Sequence, residues 1–386
     1  MNPPSPHIPT SPSTRHAMGD VSAVSVVLVG CGAPLKSMGW YHATQLLHKD
    51  SNISARLDFI VEPWFMSEAG LDSPGGADFA EFRKDLEATE GIQFFSRVED
   101  VPPVVDGVKR LAIISARTSD NPSLFASCLG IGCHAIFLEK PGAPSVAELD
   151  LMKTKANEFG ASVFMGFNKN VSKYVSKTRA YAESHPGTNV TFLHNNNYCE
   201  SGLNECFERN AEGMLKNMAI HELALAVSFY GVAADNIASV VADKDFSRCL
   251  TLKGPSGNVF TDFGKIKFTI TTKDGYKVSI AADRCGGNDS VGIVTDGDGN
   301  ELMTRIAMPD DEDSASITNA KERISGAMPY FYVQSPDYQT LKQRVANAVS
   351  KDNREPAEGV ATIDVAVETL KVAEYLTPIL IEQLKL

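Results

Sequence analysis

The sequence lacks three features that would each point to a different class of protein: paired cysteines, an excess of positive charge and a long hydrophobic run. Its seven cysteines are odd in number and show no C-x-x-C spacing, which predicts reduced thiols in a cytosolic setting and no disulfide framework or zinc site. Lys and Arg total 36 against 48 Asp and Glu, and the net charge of -12 repels nucleic acid. No run approaches the roughly 20 apolar residues of a membrane span. We therefore expect a cytoplasmic protein with no nucleic acid, membrane or metal as partner.

The N-terminal segment has little apolar character. Residues 1–20 contain five prolines and no hydrophobic segment, so they do not read as a secretory signal peptide. Their composition predicts a disordered tail. An organelle transit peptide is the alternative, because the tail is rich in Ser and has no acid before Asp20, but its single Arg argues against it.

From residue 21 to 168, short apolar runs alternate with helix-length amphipathic stretches. This alternation is typical of βαβ units with a buried parallel sheet, so we predict a Rossmann dinucleotide-binding domain over residues 21–168. Ser145 and Glu148 form a capping box that marks the start of its last helix. The predicted strands are Val24–Gly30, Leu57–Glu62, Leu111–Ser115, Ala135–Lys140 and Ser162–Phe167.

The pattern changes beyond residue 169, where longer strands are joined by hairpin turns such as Lys273–Gly275. We predict an α+β domain over residues 169–386 with a large, mostly antiparallel open sheet. Two final helical stretches, Tyr338–Ser350 and Gly359–Leu376, have apolar faces that we expect to pack back on the body. A chain of 386 residues is long enough for two such domains.

A glycine-rich turn follows the first predicted strand. In a dinucleotide fingerprint the first glycine makes a tight turn, the second lets backbone N–H groups approach the pyrophosphate, and the third allows close helix packing. Here four extra residues expand the usual G-x-G-x-x-G spacing before Gly39. A strand-ending turn without a ligand is the alternative. In the βαβ context, we predict that the residues contacting NAD or NADP are Gly30, Cys31, Gly32, Ala33, Pro34 and Gly39.

Glu62 ends the second predicted strand about thirty residues after the fingerprint, where an acid accepts hydrogen bonds from the adenosine ribose. A carboxylate there repels a 2′-phosphate, which favours NAD over NADP. Two alternatives stay open: Glu62 is simply a solvated strand end, or the expanded loop supplies Lys36 to a phosphate. Trp64 and Phe65 either flank the adenine or cap the core.

Several segments follow the fingerprint in a characteristic order. They are IISA (113–116), GCHAIFLEKP (132–141), GFN (166–168), a helix with Gly213, Asn217 and His221, and REP (354–356). Together they resemble the superfamily of glucose-fructose oxidoreductase, inositol dehydrogenase and rhizopine-catabolism proteins (Gfo/Idh/MocA), from about Val24 to Leu376. The resemblance implies a Rossmann domain followed by an open-sheet domain, and it adds Ser115, Glu139 and Asn168 to the predicted cofactor contacts.

The resemblance also implies catalytic roles. The lysine of the E-K-P motif, Lys140, lies beside the nicotinamide and the reacting oxygen, where an ammonium stabilises developing charge. His221 takes or returns the hydroxyl proton with a pKa near the working pH. Asn217 stands where the family has an Asp, on the same helical face as His221, and we expect its amide to position the substrate. A solvated lysine and a core histidine are the alternative readings.

A second departure from the family lies after the fourth strand, where Ala116, Arg117 and Asn121 replace a Thr-Pro and a later His. Arg117 is predicted to contact the cofactor or anchor an anion, with a surface arginine as the alternative. The sequence thus predicts an NAD(P)-dependent oxidoreductase for a sugar, polyol or related hydroxy compound, assembled as a dimer or tetramer. An imine or C=C reductase and a non-catalytic NAD(P)-binding regulator stay open, because the family includes both.

Overall fold

The computed structural model describes residues 24–48, 52–297, 299–353 and 356–385. The predicted tail and the start of the 354–356 segment lie outside the described residues. The described chain divides into two compact units. The first contains the described residues up to 139 with residues 151–164 and 315–357, and the second contains residues 140–150, 165–314 and those from 358 onward.

The first unit contains a six-stranded parallel sheet. With the strands numbered as they occur in the sequence, their spatial order is 3-2-1-4-5-6. Strands one and four are buried along their whole length, which explains why the sequence shows them as nearly unbroken apolar runs. Their adjacency creates the switch point where doubly wound sheets bind ligands. The strands are β1 (Val24–Val29), β2 (Ala55–Val61), β3 (Gln93–Phe95), β4 (Arg110–Ile114), β5 (Ala135–Leu138) and β6 (Ser162–Met165).

The second unit is built on a mixed sheet. Its order is strand 13-12-7-11-10-8, with strand nine paired to strand ten. The pair of strands seven and eleven is parallel, and the other recorded pairs are antiparallel, so the predicted fold class is confirmed. The strands are β7 (Asn189–Asn195), β8 (Ile237–Ala242), β9 (Arg248–Lys253), β10 (Val259–Thr272), β11 (Lys277–Asp283), β12 (Ser290–Thr295) and β13 (Glu301–Met308).

Helices cover both sheets. The helix after Ser145 begins as predicted, because Ser145 Oγ accepts a hydrogen bond from Glu148 N at 3.3 Å and donates one to Glu148 Oε2 at 2.7 Å. None of the helices in the described ranges is both long and apolar enough to cross a membrane. The helices are α1 (Met38–Leu47), α2 (Glu68–Leu71), α3 (Gly76–Thr89), α4 (Asn121–Gly130), α5 (Val146–Glu158), α6 (Lys173–Ser184), α7 (Leu203–Arg209), α8 (Met214–Asn217), α9 (Ile220–Tyr230), α10 (Ser314–Arg323), α11 (Pro329–Val333), α12 (Ser335–Ser350) and α13 (Ile363–Leu384).

Residues 315–357 belong to the first unit, whereas the sequence assigned everything after residue 168 to the second. Phe331 of α11 stacks on Tyr41 of α1 with ring centroids 4.8 Å apart, and Tyr338 of α12 meets the same ring edge-on at 5.8 Å. Aromatic contacts of this kind stabilise a core beyond the area that they bury. The apolar periodicity of α12 predicts that one face of the helix is buried. It does not indicate which of the two units that face packs against.

Lys342 of α12 lies buried in this aromatic layer. Its amine donates to the side chain of Gln45 and lies 5.2 Å from the ring centroid of Tyr338 and 5.7 Å from that of Tyr41. Burial lowers the pKa of Lys342 to about 7, although the charge of Glu139 raises it. The folded protein therefore binds this proton less tightly than the unfolded chain does.

This arrangement predicts a pH-dependent stability. Between the folded pKa of about 7 and the ordinary lysine value of about 10.4, the unfolded state holds more protons, so the free energy of unfolding rises with pH. The slope from this group approaches about 1.4 kcal/mol per pH unit. We expect Lys342→Met to remove that rise in urea unfolding measured from pH 7 to 10. Lys321→Met, at an exposed position of α10, should keep it, and an unchanged slope in Lys342→Met would contradict the assignment.

Candidate functional site

The fingerprint turn of the first unit follows β1 directly. Gly30 and Gly32 have φ angles of 81° and 70°, in the left-handed region that favours glycine. A Cβ placed on Gly30 would lie 2.9 Å from Ala116 Cα and 2.9 Å from the carbonyl oxygen of Ser115, so only glycine allows this approach to the end of β4. The bare backbone at the switch point between β1 and β4 is the kind of cradle that fits a pyrophosphate.

The loop between Gly32 and Gly39, which has four more residues than the usual fingerprint, forms a separate turn before α1. The N–H groups of Lys36 and Ser37 both donate to the carbonyl oxygen of Ala33, at 3.3 and 3.1 Å. Leu35 has a φ of 64°, Pro34 beside it is half-buried, and Lys36 is exposed. The extra residues therefore extend the loop without displacing the glycine turn that follows β1.

Cys31 lies between the two glycines with its side chain fully buried. Burial raises the pKa of its thiol, and the charge of Glu62 raises it further. A buried, protonated thiol packs in the core, so a contact between Cys31 and a cofactor would come from its backbone.

Glu62 connects the glycine turn to the segment after β2. It is 4% exposed; its Oε2 accepts a hydrogen bond from Gly32 N at 2.6 Å, and its Oε1 accepts from Trp64 N at 3.1 Å and Phe65 N at 3.3 Å. The carboxylate is therefore fixed beside the second glycine, and the alternative of a solvated strand end is wrong. Phe65 is buried and stacks on Phe79 at 5.4 Å, so it belongs to the core.

Glu139 is engaged within the first unit. Its Oε1 lies 3.0 Å from Nε2 of the fully buried His42. Burial and the charge of Lys342 lower the pKa of His42 to about 4, although Glu139 opposes them, so the imidazole is neutral at pH 7 and its N–H can donate to the carboxylate. The contact fixes Glu139 at the end of β5, immediately before Lys140 in the chain.

The other predicted contacts have different surroundings. Ser115 is half-buried, and its N–H donates to Val29 O at 2.9 Å. Arg117 is exposed on the loop before α4. In the second unit, Asn168 is fully buried at the start of a 3-10 turn, Asn168–Val171. A role of Ser115, Arg117 or Asn168 in cofactor binding stays a prediction.

Lys140 opens the second unit and is held by a backbone oxygen. Its Nζ donates to the carbonyl oxygen of Asn217 at 2.9 Å. The side chain of Asn217 instead donates to Glu212 Oε1 at 2.7 Å in an exposed contact. Asn217 ends α8, whereas His221 lies in α9, so the expected single helical face does not exist. The chain therefore uses the backbone of Asn217, not its amide, beside Lys140.

His221 lies deep in the second unit, with 7% of its surface exposed. The ring of Phe167 packs edge-on against it at 6.0 Å, and among the described residues its buried Nδ1 has no hydrogen-bond partner. Burial lowers its pKa well below the ordinary value, and the charges of Lys140 and Lys169 lower it further. The expectation of a pKa near neutrality is therefore wrong, and His221 is a neutral imidazole at pH 7.

Sequence reasoning missed a buried ion pair behind this histidine. Lys169 Nζ lies 2.6 Å from Glu222 Oε1 and 2.8 Å from Ser290 Oγ. The sequence assigned no role to either Lys169 or Glu222. A glutamate inside the otherwise apolar run of α9 was the available signal, because a buried acid requires a partner.

Comparisons with known proteins identify the fold. No family model and no curated protein matches the chain. Solved structures do match, among them dehydrogenases and an oxidoreductase. The scyllo-inositol dehydrogenase of Lactobacillus casei with NAD(H) and scyllo-inositol has a TM-score of 0.64 at 15% identity, covering 94% of this chain and 97% of its own.

Two further structures give the same result. The myo-inositol dehydrogenase of Lactobacillus casei with NAD(H) and myo-inositol has a TM-score of 0.62 at 14% identity, covering 94% of this chain and 96% of its own. An oxidoreductase of Agrobacterium radiobacter with NAD+, L-tartaric acid and magnesium reaches 0.61 at 13% identity, with the same coverage of both chains. At these identities the likeness establishes the fold. Within the described ranges of this chain, no three His, Cys, Asp or Glu side chains are grouped to hold a metal ion.

Proposed function

We propose that the protein is an NAD(P)-dependent dehydrogenase that transfers hydride between the nicotinamide and a sugar, polyol or related hydroxy compound. The observation that carries the proposal is the combination of Lys140 and His221 in the second unit. A lysine amine is held at a backbone oxygen, and its charge acts on a buried neutral imidazole. The fold shared with inositol dehydrogenases that bind NAD(H) supports the same activity.

The first unit has the features that a dinucleotide requires. Gly30 and Gly32 present bare backbone at the end of β1, and Gly39 allows α1 to begin close to that backbone. These residues would hold the pyrophosphate, and the fixed carboxylate of Glu62 would hold the adenosine ribose. When bound, the cofactor accepts the hydride from an alcohol or donates it to a carbonyl.

The residues of the second unit handle the oxygen and its proton. In alcohol oxidation, the Lys140 ammonium stabilises negative charge that develops on the substrate oxygen. His221, being neutral, accepts the hydroxyl proton, and in the reverse direction its protonated form returns that proton to the carbonyl oxygen. The carbonyl oxygen of Asn217 positions the Lys140 amine.

The position of Glu62 predicts the cofactor preference. A carboxylate at the ribose repels a 2′-phosphate, so we expect NADH to bind at least about tenfold more tightly than NADPH, which corresponds to about 1.4 kcal/mol. Glu62→Gln should narrow this ratio by weakening NADH and strengthening NADPH. Fluorescence titration of both cofactors measures it, and Glu68→Gln, at an exposed acid of α2, should leave the ratio unchanged. Tighter binding of NADPH to the unaltered protein would refute the assignment of Glu62.

Turnover tests the function itself. The intact protein is incubated with NAD+ or NADP+ and a panel of inositols, sugars, polyols and hydroxy acids, and reduction is followed at the nicotinamide absorbance. Conversion of any of these compounds supports the proposal. Tight NADH binding without conversion of any panel member would favour a non-catalytic NAD(P)-binding regulator.

A further inference from the structure

The second unit contains a buried ion pair between Lys169 and Glu222, the residue that follows His221 in the chain. A contribution to the stability of the fold is not a sufficient reason for this pair. Lys169 and Glu222 are 2% and 0% exposed, and such an ion pair is often no more stable than an apolar pair of the same size. Ser290 Oγ accepts a further hydrogen bond from the lysine amine at 2.8 Å. The site therefore maintains a fixed negative charge in the interior, together with the cation that keeps it ionised.

The second oxygen of this carboxylate faces a second histidine. Glu222 Oε2 lies 3.4 Å from Nδ1 of His194, and the same Nδ1 lies 3.2 Å from the carbonyl oxygen of Met218. Because both neighbours are acceptors, the proton of the neutral His194 ring belongs on Nδ1. The ring of His194 is oriented edge-on to that of His221, with centroids 6.5 Å apart.

The charges that act on His221 have opposite effects. The positive charges of Lys140 and Lys169 lower its pKa, as does His194, while Glu222 raises it. For His194, burial is the main cause of a lowered pKa; the charges of Lys169 and Lys140 lower it further, and Glu222 raises it. Asn217 adds no charge, and its side chain is engaged with Glu212. Glu222 is thus the carboxylate that opposes the two lysines at both rings.

We propose that Glu222 is the positioning residue of this site: it supplies the negative charge that allows His221 to accept a proton and holds His194 beside it, the task that Asn217 does not perform. The inference rests on the proposed dehydrogenase function. Lys169 keeps Glu222 ionised and in place, and Glu222 acts on the substrate only through the two imidazoles. The carboxylate offsets part of the destabilisation that burial and the two lysines impose on a protonated His221.

Kinetics of three variants test this role. Without the carboxylate His221 is a weaker base, so we expect Glu222→Gln to lower kcat for oxidation about tenfold, with the acid limb of the pH profile displaced to lower pH. KM and NADH affinity should change less than about twofold, because neither depends on proton transfer. Glu222→Asp keeps the charge and should recover most of kcat. In Lys169→Met/Glu222→Gln the opposing cation is also absent, so kcat should rise again.

A purely structural role gives a different pattern. If Glu222 only stabilised the fold, Glu222→Gln would show a lower NADH affinity and a higher KM together with the loss of kcat. Glu222→Asp would then not recover kcat. Either outcome would overturn the proposal. Leaving Lys169 alone in the interior threatens the fold of the single variant, so a comparison without a lone lysine is also required.

Histidine titration by NMR provides that comparison on the protein without cofactor or substrate. We expect the ring signals of His221 and His194 to titrate at higher pH in Lys169→Met than in Lys169→Met/Glu222→Gln, by about one pH unit. Because loss of Lys169 raises the pKa of Glu222 itself, the Glu222 carboxyl carbon signal is followed in the same titration. Coincident histidine titrations over the pH range in which this carboxyl is ionised would rule out the role of Glu222. This measurement needs no turnover, so it tests the role of Glu222 separately from the proposed dehydrogenase function. An active enzyme in which the histidine titrations coincide refutes only the role of Glu222. An inactive protein in which the titrations differ refutes only the dehydrogenase function.

Discussion

Replacing Lys140 with methionine is expected to lower kcat about a hundred- to a thousand-fold, which is the usual effect of removing one group that stabilises charge on a reacting oxygen. The methionine keeps the length of the side chain but cannot donate to a developing alkoxide. It also removes a positive charge that lowers the pKa of His221, so the imidazole becomes a stronger base while the oxygen loses its stabiliser. We expect the loss of charge stabilisation on the oxygen to outweigh the gain in basicity. A stronger base removes the hydroxyl proton more readily, but it does not by itself make the carbon release hydride.

The affinity for NADH separates this role from a structural one. The glycine turn and Glu62 belong to the first unit and are unchanged by the substitution, so the dissociation constant should move by less than about threefold. Lys216→Met is the matched control, because Lys216 lies one residue before Asn217 and its amine pairs with Glu374 at 2.8 Å. The control should keep the activity of the unaltered protein. Parallel losses of kcat and NADH affinity in Lys140→Met would refute the catalytic assignment.

The sequence predicted the parts of the fold that local patterns encode. The five strands predicted for the Rossmann domain all exist with bounds within about two residues, because a buried parallel strand leaves an apolar run between turn residues. Two strands leave no such pattern: β3 has only three residues, of which one is buried, and the residues of the edge strand β9 are all exposed or half-buried. The fold class followed from the order of these signals and from the quoted motifs.

The electrostatics of the candidate site could not be predicted in the same way. The Asn217 spacing indicated one continuous helix, but the chain interrupts it at residues 218 and 219, and the side chain turns to Glu212. The Lys169–Glu222 pair joins residues 53 positions apart, which no local motif reports. The pKa of His221 depends on this pair and on burial, so a value near neutrality was the only expectation that the residue type allowed.

Substitution of Gly39 by alanine is expected to have the largest effect on stability. A Cβ at this position would overlap the carbonyl oxygen of Gly30 and lie 2.7 Å from Cys31 Cα and 2.8 Å from the carbonyl oxygen of Cys31. These neighbours are backbone atoms of the glycine turn, so they cannot move aside as a flexible side chain would. Such overpacking costs about 3 kcal/mol, and we expect urea unfolding to show a loss of that order.

Gly130→Ala is the matched control, because this glycine ends α4 and a Cβ there would meet no atom within 4 Å. Alanine is the better helix former by up to about 1 kcal/mol, so the control should be neutral or more stable than the unaltered protein. The same clash bears on function, since α1 can relieve it only by moving away from the turn that would hold the pyrophosphate. The fraction of Gly39→Ala that stays folded should therefore bind NADH more weakly. A Gly39→Ala protein as stable as Gly130→Ala would show that α1 does not pack on the glycine turn in solution.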